Sequence, residues 1–222
     1  SRIAAHTEPK EITENNLTVI SSYTHAVYFG KAPVIIGERI NPTGKKRLKT
    51  ALKEGDMAYI LGEAVSQAEC GAHVLDVNVG LPEIDEPAVL ERAVCEIQAV
   101  TDLPLQIDTS DICAMERAMR RYNGKPLVNS VNGKKEVMDA VFPLVKKYGG
   151  AVIALTLDEG GIPATAEGRI EIAKNILKEA AKYGIRKKDI IFDTLAMAVS
   201  ADGGAAVAAL DSLDYLRHSM GV

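Results

Sequence analysis

The sequence predicts an α/β fold: a (β/α)8 TIM barrel, with about six of the eight units inside these 222 residues. Three observations lead there. Short, β-branched apolar runs recur along the chain, segments of helical period separate them, and acids and amides stand at the carboxyl ends of the runs. Strand–helix alternation implies parallel pairing, because a helical crossover brings the chain back in the same direction. An open doubly wound sheet shares this pattern. It would carry a glycine-rich phosphate loop after the first run, where "GERINPTGKK" stands instead, so the barrel is favoured.

Residues 1–32 come first and are mixed in character, with the polar run "EPKEITENNL" and no clear period. They read as an N-terminal connector or strap, and the start at Ser1 suggests a piece of a longer chain. The barrel is expected over 33–222. Its strands are expected at "PVIIGER" (33–39), "HVLDVNV" (73–79), "LPLQIDT" (103–109), "PLVNSV" (126–131), "AVIALTL" (151–157) and "DIIFDTL" (189–195). Turn signals such as "GA", "NGKP", "YGG" and "KKD" flank them.

Helices are expected between the strands. "MAYILGEAVSQAECG" (57–71) repeats apolar residues every three or four positions and stops at glycine. "DICAMERAMRRYNG" (111–124) follows Ser110, a cap candidate, and ends in basic residues and Gly124, as a helix dipole favours. "KKEVMDAVFPLVKKYGG" (134–150) and "AEGRIEIAKNILKEAAKYG" (166–184) each end in lysine and then glycine, and 206–221 forms one more helix. A complete barrel takes about 250 residues. Strands seven and eight are therefore expected beyond Val222, and the edges they leave open call for cover by further residues, a second chain or self-association.

Composition narrows the function. A chain 47% hydrophobic and 25% charged is an ordinary globular one, and a net charge of −4 gives no general attraction for nucleic acid. No apolar run is long enough for a membrane span, and no signal peptide is recognised. Cys70, Cys95 and Cys113 are odd in number and widely spaced, which suggests neither a disulfide framework nor a zinc motif. His6, His25, His73 and His218 have no ligand spacing, so no metal site is expected. A reducing cytoplasm is the expected compartment. The sequence leaves the oligomeric state open.

The polar strand ends carry the chemistry. Glu38 and Asn41, Asp76 and Asn78, Asp108, Asn129 and Asn132, and Asp193 would share the mouth of a parallel barrel, where active sites lie. Carboxylates accept hydrogen bonds and carboxamides both accept and donate, which suits a flat heterocycle rich in N–H and carbonyl groups. A structural role competes at each position. An aspartate after a buried strand often caps the next helix, and Asp76 allows that reading. Asp108 is freer, since Ser110 can cap, while Asn129 within an apolar run needs a partner. The cluster Lys45, Lys46, Arg47 and Lys49 reads as a solvated helix face, or as a lure for an acidic ligand tail.

"IIGERINPTGKKRLKTAL", "GAHVLDVNVGLPEIDEP", "LPLQIDTSD", "KPLVNSVNGK" and "DIIFDTL" together resemble the pterin-binding family, in particular the folate domain of cobalamin-dependent methionine synthases and the methyltetrahydrofolate:corrinoid methyltransferases. The resemblance covers most of 33–222. "VISSYTHAVYFGKAPV" resembles the connector from a preceding homocysteine-binding domain. What it implies is methyltetrahydrofolate bound at the mouth, with pterin contacts at Glu38, Asn41, Asp108, Asn129 and Asp193, oriented by Asp76 and Asn78. It further implies transfer of the N5 methyl group to cobalt(I) of a cobalamin or corrinoid carried by another domain or protein.

The family's asparagine nearest N5, in a motif like "LSNxS", has no counterpart here and would lie beyond Val222, so no catalytic residue is assigned. Two other readings stand beside this one. A dihydropteroate synthase-like enzyme would share the acid–amide pattern, but "DVNVGLPEID" lacks its "GGEST"-like loop. A non-catalytic folate-holding or corrinoid-docking module is the other.

Overall fold

A computed structural model describes residues 16–197 and 203–222; most of the polar run over 8–17 falls outside them. The described chain opens on an antiparallel hairpin, β1 (Val19–Ser21) and β2 (Ala26–Tyr28). There follow β3 (Ile36–Ile40), α1 (Lys46–Glu54), α2 (Met57–Glu69), β4 (Val74–Val77), α3 (Glu86–Val100), β5 (Leu105–Asp108) and α4 (Ile112–Arg121). The chain continues as β6 (Leu127–Asn132), α5 (Lys135–Tyr148), β7 (Ala151–Leu155), α6 (Ala166–Lys182), β8 (Ile190–Asp193) and α7 (Gly203–Tyr215), which runs on as a π-helical turn over Leu216–Met220.

Strands β3 to β8 form one sheet in chain order, every neighbouring pair parallel. With a helical crossover between successive strands, these are consecutive units of a (β/α)8 barrel. All six expected strands are present; four lie within the expected bounds, while β3 and β6 start later and run one residue further, to Ile40 and Asn132.

Two helices lie outside the periodic segments named above, α1 and α3. The first turns only Leu48, Ala51 and Leu52 inward, so its lysines mask a short apolar stripe. The second buries Leu90, Ala93, Val94 and Ile97, a regular helical spacing. Asp85 caps it through Ala88 N, and its first turn carries proline. The cap of α4 is Asp111, accepting from Ala114 N at 2.9 Å, and not Ser110, which stays exposed. Asp76 caps nothing. It lies within β4 and is 2% exposed.

The sheet separates two apolar regions. Leu75, Val77, Ile107, Val128, Val152 and Ala154 face outward and pack with the helices. On the concave side Val74, Leu127 and Ala151 form a small inner layer with Ile20 and Val27 of the hairpin. The hairpin thus plugs the amino end of the sheet. Its seat is a backbone pairing in both directions between Ser21 and Lys125, with Tyr122 Oη also donating to Ser21 O at 2.9 Å. Gly124 permits that approach. Its φ is +141° and a Cβ there would lie 2.2 Å from Ser21 O.

Candidate functional site

Above the inner apolar layer the concave face turns polar. Register fixes the arrangement: Asp76 pairs with Gln106, Asp108 with Asn129, and Leu155 with Asp193. Period-two alternation puts Asp76, Asn78, Gln106, Asp108 and Asn129 on one face. Exposure rises towards the mouth. Asp76 is buried, Asn41, Asn78, Asp108 and Asn129 are half-buried, and Glu38 and Asp193 are exposed.

Amides hold the acids in place. Asn41 Nδ2 donates to Glu38 Oε1 at 3.0 Å, and Asn78 Nδ2 to Asp108 Oδ2 at 3.0 Å. Gln106 Nε2 donates to Asp76 Oδ1 at 2.6 Å, and the backbone N–H of Leu195 to Asp193 Oδ1 at 2.7 Å. The amide oxygens of Asn41 and Asn78 are tied in turn to Thr43 N and Gly80 N. Glu38, Asp76, Asp108 and Asp193 therefore each keep one carboxylate oxygen engaged by the protein. Asn129 has no side-chain hydrogen bond among the described residues, while its carbonyl accepts from Thr109 N. Asn132 instead takes Lys134 N in a turn that leads into α5.

Burial, and after it the crowding of acids, raises the proton affinity of Asp76 and Asp108. Burial, followed by the charge of Asp108, pushes the Asp76 carboxyl up to about 7, against the lowering pull of the Gln106 amide. Asp108 is raised as well, chiefly by burial and then by Glu38 and Glu86, with the Asn78 hydrogen bond opposing. Glu86 joins the mouth by taking a hydrogen bond from Thr109 Oγ1. Lys45 contributes the nearby cation, its Nζ donating to Glu38 O at 2.5 Å. The surface is built to receive donors.

A cavity of about 310 Å³ opens beside Asp108 and Asn129, with Thr109, Ser110 and Asn132 at its polar side and Ile112, Met115 and Val137 at its apolar side. A larger one, about 460 Å³, lies at the opposite end of the sheet near Lys125, Gly150 and Asp189, away from the acids. Among the described residues no group of three or more His, Cys, Asp or Glu is arranged to hold a metal ion. Nor is any helix among the described residues long and apolar enough to cross a membrane.

The structure thus gathers Glu38, Asp76, Asp108 and Asn129 on neighbouring strands and Asn41 and Asn78 just past the ends of β3 and β4, with Asp193 across β7. Gln106 is the residue that sequence reasoning passed over. Its signal was a polar side chain inside the apolar run "LPLQIDT", two positions before the aspartate and so on the same face. It is 7% exposed, and its Oε1 is buried without a hydrogen-bond partner among the described residues.

Six parallel strands with alternating helices, carrying acids and amides towards their carboxyl ends, define the class as a (β/α)8 barrel protein. Within it, residues 37–222 match the family described as pterin binding enzymes, and the chain belongs to that family. It is 30% identical to a methionine synthase of Mycobacterium tuberculosis (strain ATCC 25618 / H37Rv) over 82% of this chain and 16% of that protein. It is 34% identical to a methylcorrinoid:tetrahydrofolate methyltransferase of Eubacterium limosum over 76% of this chain and 63% of that protein. The chain therefore spans about one sixth of the first relative and less than two thirds of the second. Dihydropteroate synthase from Xanthomonas albilineans, in complex with 7,8-dihydropteroate, superposes with a TM-score of 0.61 over 92% of this chain and 74% of that one, at 20% identity. A Yersinia pestis dihydropteroate synthase with a sulfonamide drug complex gives 0.65 over 90% and 75%, at 15% identity. These two likenesses are of fold.

Proposed function

We propose that this chain binds the pterin ring of methyltetrahydrofolate at the mouth formed by β3 to β8, as the folate unit of a protein that passes the N5 methyl group to a cob(I)alamin or corrinoid. One observation carries the reading. Glu38, Asp76, Asp108 and Asp193 each have one oxygen held by an amide or backbone N–H, which aligns the remaining oxygens as acceptors. A pterin offers the complementary edge of ring N–H and amino donors, and Asn129 can pair with a neighbouring donor–acceptor position. The names of the relatives, a methionine synthase and a methylcorrinoid:tetrahydrofolate methyltransferase, support a folate and a corrinoid as the two substrates.

In the reaction the bond from N5 to the methyl carbon breaks, the methyl passes to the nucleophilic cobalt, and N5 keeps the bonding pair and ends with a proton. A tertiary amine is a poor leaving group until N5 is protonated or strongly hydrogen-bonded. The residues named here orient the pterin for that step and hold it in the mouth. The corrinoid is a substrate presented by another domain or protein, and residues 1–32 are proposed as the connector to a homocysteine-binding domain. The exposed Lys46, Arg47 and Lys49, at the start of α1 beside the mouth, suit the acidic tail of a folate.

The test is methyl transfer by the full-length protein. Methylcobalamin should form from methyltetrahydrofolate and cob(I)alamin, and Asp108→Asn should slow its formation at least tenfold, the loss expected of one charge-assisted hydrogen bond. Folate binding without methylcobalamin formation would point to a non-catalytic holding module instead.

A further inference from the structure

Arg169 is the largest fully buried side chain among the described residues, 1% exposed. It forms no ion pair among them. It also stands near the amino end of α6, where the helix dipole is unfavourable to a cation. A buried charge without a counter-charge is costly unless hydrogen bonds replace its hydration. Here carbonyls do so. Nε donates to Pro163 O at 2.9 Å, and one terminal nitrogen donates to Thr194 O at 2.7 Å and Leu195 O at 3.5 Å.

Those last carbonyls belong to the two residues that follow Asp193. Leu195 has a φ of +58°, a left-handed conformation uncommon for a residue with a Cβ. In that conformation its N–H reaches back to Asp193 Oδ1 at 2.7 Å. From the other side Thr156 fixes the Asp193 carbonyl, through N at 3.1 Å and Oγ1 at 3.3 Å. The end of β8 is thus clamped between β7 and α6, and the clamp terminates on a carboxylate of the mouth.

We propose that Arg169 is a positioning residue for Asp193: by binding the Thr194 and Leu195 carbonyls it fixes the turn that delivers Leu195 N–H to one oxygen of Asp193, leaving the other for a bound heterocycle. The inference rests on the folate reading given above. Bonds from both Nε and a terminal nitrogen explain why arginine stands here. A lysine ammonium is a point donor and cannot span acceptors on two separate loops in the same way.

A double-mutant cycle in the full-length protein tests it. Affinity for methyltetrahydrofolate is measured by calorimetry, and stability by urea unfolding, for Arg169→Lys, Asp193→Asn and the pair. Arg169→Lys should weaken binding about tenfold when Asp193 is present and less than about twofold in the Asp193→Asn background, since residues in one network couple. Its cost in stability should be the same in both backgrounds, which a merely structural role would also give. Only the affinity coupling reports positioning. If Arg169→Lys does not fold, Arg169→Gln takes its place, with no buried charge and a donor for one carbonyl, and the same coupling is expected. Affinity losses that multiply independently, or an Arg169 variant with unchanged affinity, would overturn the inference and leave the folate reading standing. An unvaried protein without measurable binding would remove the folate reading, and the inference with it.

Discussion

Asp193 and Asp76 mark the two ends of the exposure gradient in the mouth, and they should respond differently to loss of charge. At exposed Asp193 the charge is proposed to serve the ligand. Asp193→Asn is expected to weaken folate binding by about 1.5 to 3 kcal/mol, the range for a hydrogen bond to a charged group, and calorimetry reads it directly. At buried Asp76 the charge works against the fold. The carboxyl titrates at about 7 in the native protein and near 4 when unfolded, so between those values the folded state holds the extra proton. Stability therefore falls as pH rises through that window. Asp76→Asn cannot ionise and should remove this residue's share of the slope, gaining on the order of 2 kcal/mol relative to the unvaried protein between about pH 5 and about pH 8. Identical pH profiles of urea unfolding would refute it. The acids and amides of the mouth were legible because polar residues ending apolar runs conflict with simple burial. Gln106 was harder to see, since a single amide inside a strand-like run gives no sign of the neighbour it will hold.

Among the elements, the hairpin was the least legible and α3 the most nearly so. Two strands of three residues each leave too short a pattern for alternation to stand out from a linker, and the hairpin's meaning comes from where it docks. For α3 the spacing Leu90, Ala93, Val94, Ile97 was present in the sequence, capped by Asp85. The six parallel strands were readable because each is a short apolar run bounded by turns, with the central ones, β4 to β7, the most fully buried. Hairpin docking makes a sharp prediction at Gly124. Ala in its place would collide with Ser21 O and occupy a φ suited to glycine, so Gly124→Ala should lower stability by well over 1 kcal/mol. Gly30→Ala, where a Cβ meets nothing within 4 Å although φ is also positive, isolates the backbone part of that cost. Equal losses at the two positions would show that the hairpin seat adds nothing.

For the molecule as a whole, the sheet order leaves β3 and β8 each paired on one side only among the described residues. Ile35, just ahead of β3, is 56% exposed, and Val207, Leu210 and Leu213 of α7 are 58%, 65% and 44% exposed. Unpaired edges beside apolar surface promote association. Expressed as these 222 residues alone, the chain should therefore sediment as a concentration-dependent mixture of species, and Ile35→Lys should shift it towards monomer. A strictly monomeric, cooperatively folded particle would contradict this. The amide-held acids have a separate consequence, for the bonding form of the guest. Since the acceptors are immobilised before anything arrives, a ring nitrogen that has given up its hydrogen to an exocyclic oxygen would face lone pair with lone pair. If the mouth holds a pterin as proposed, it should admit the lactam tautomer and turn the lactim away.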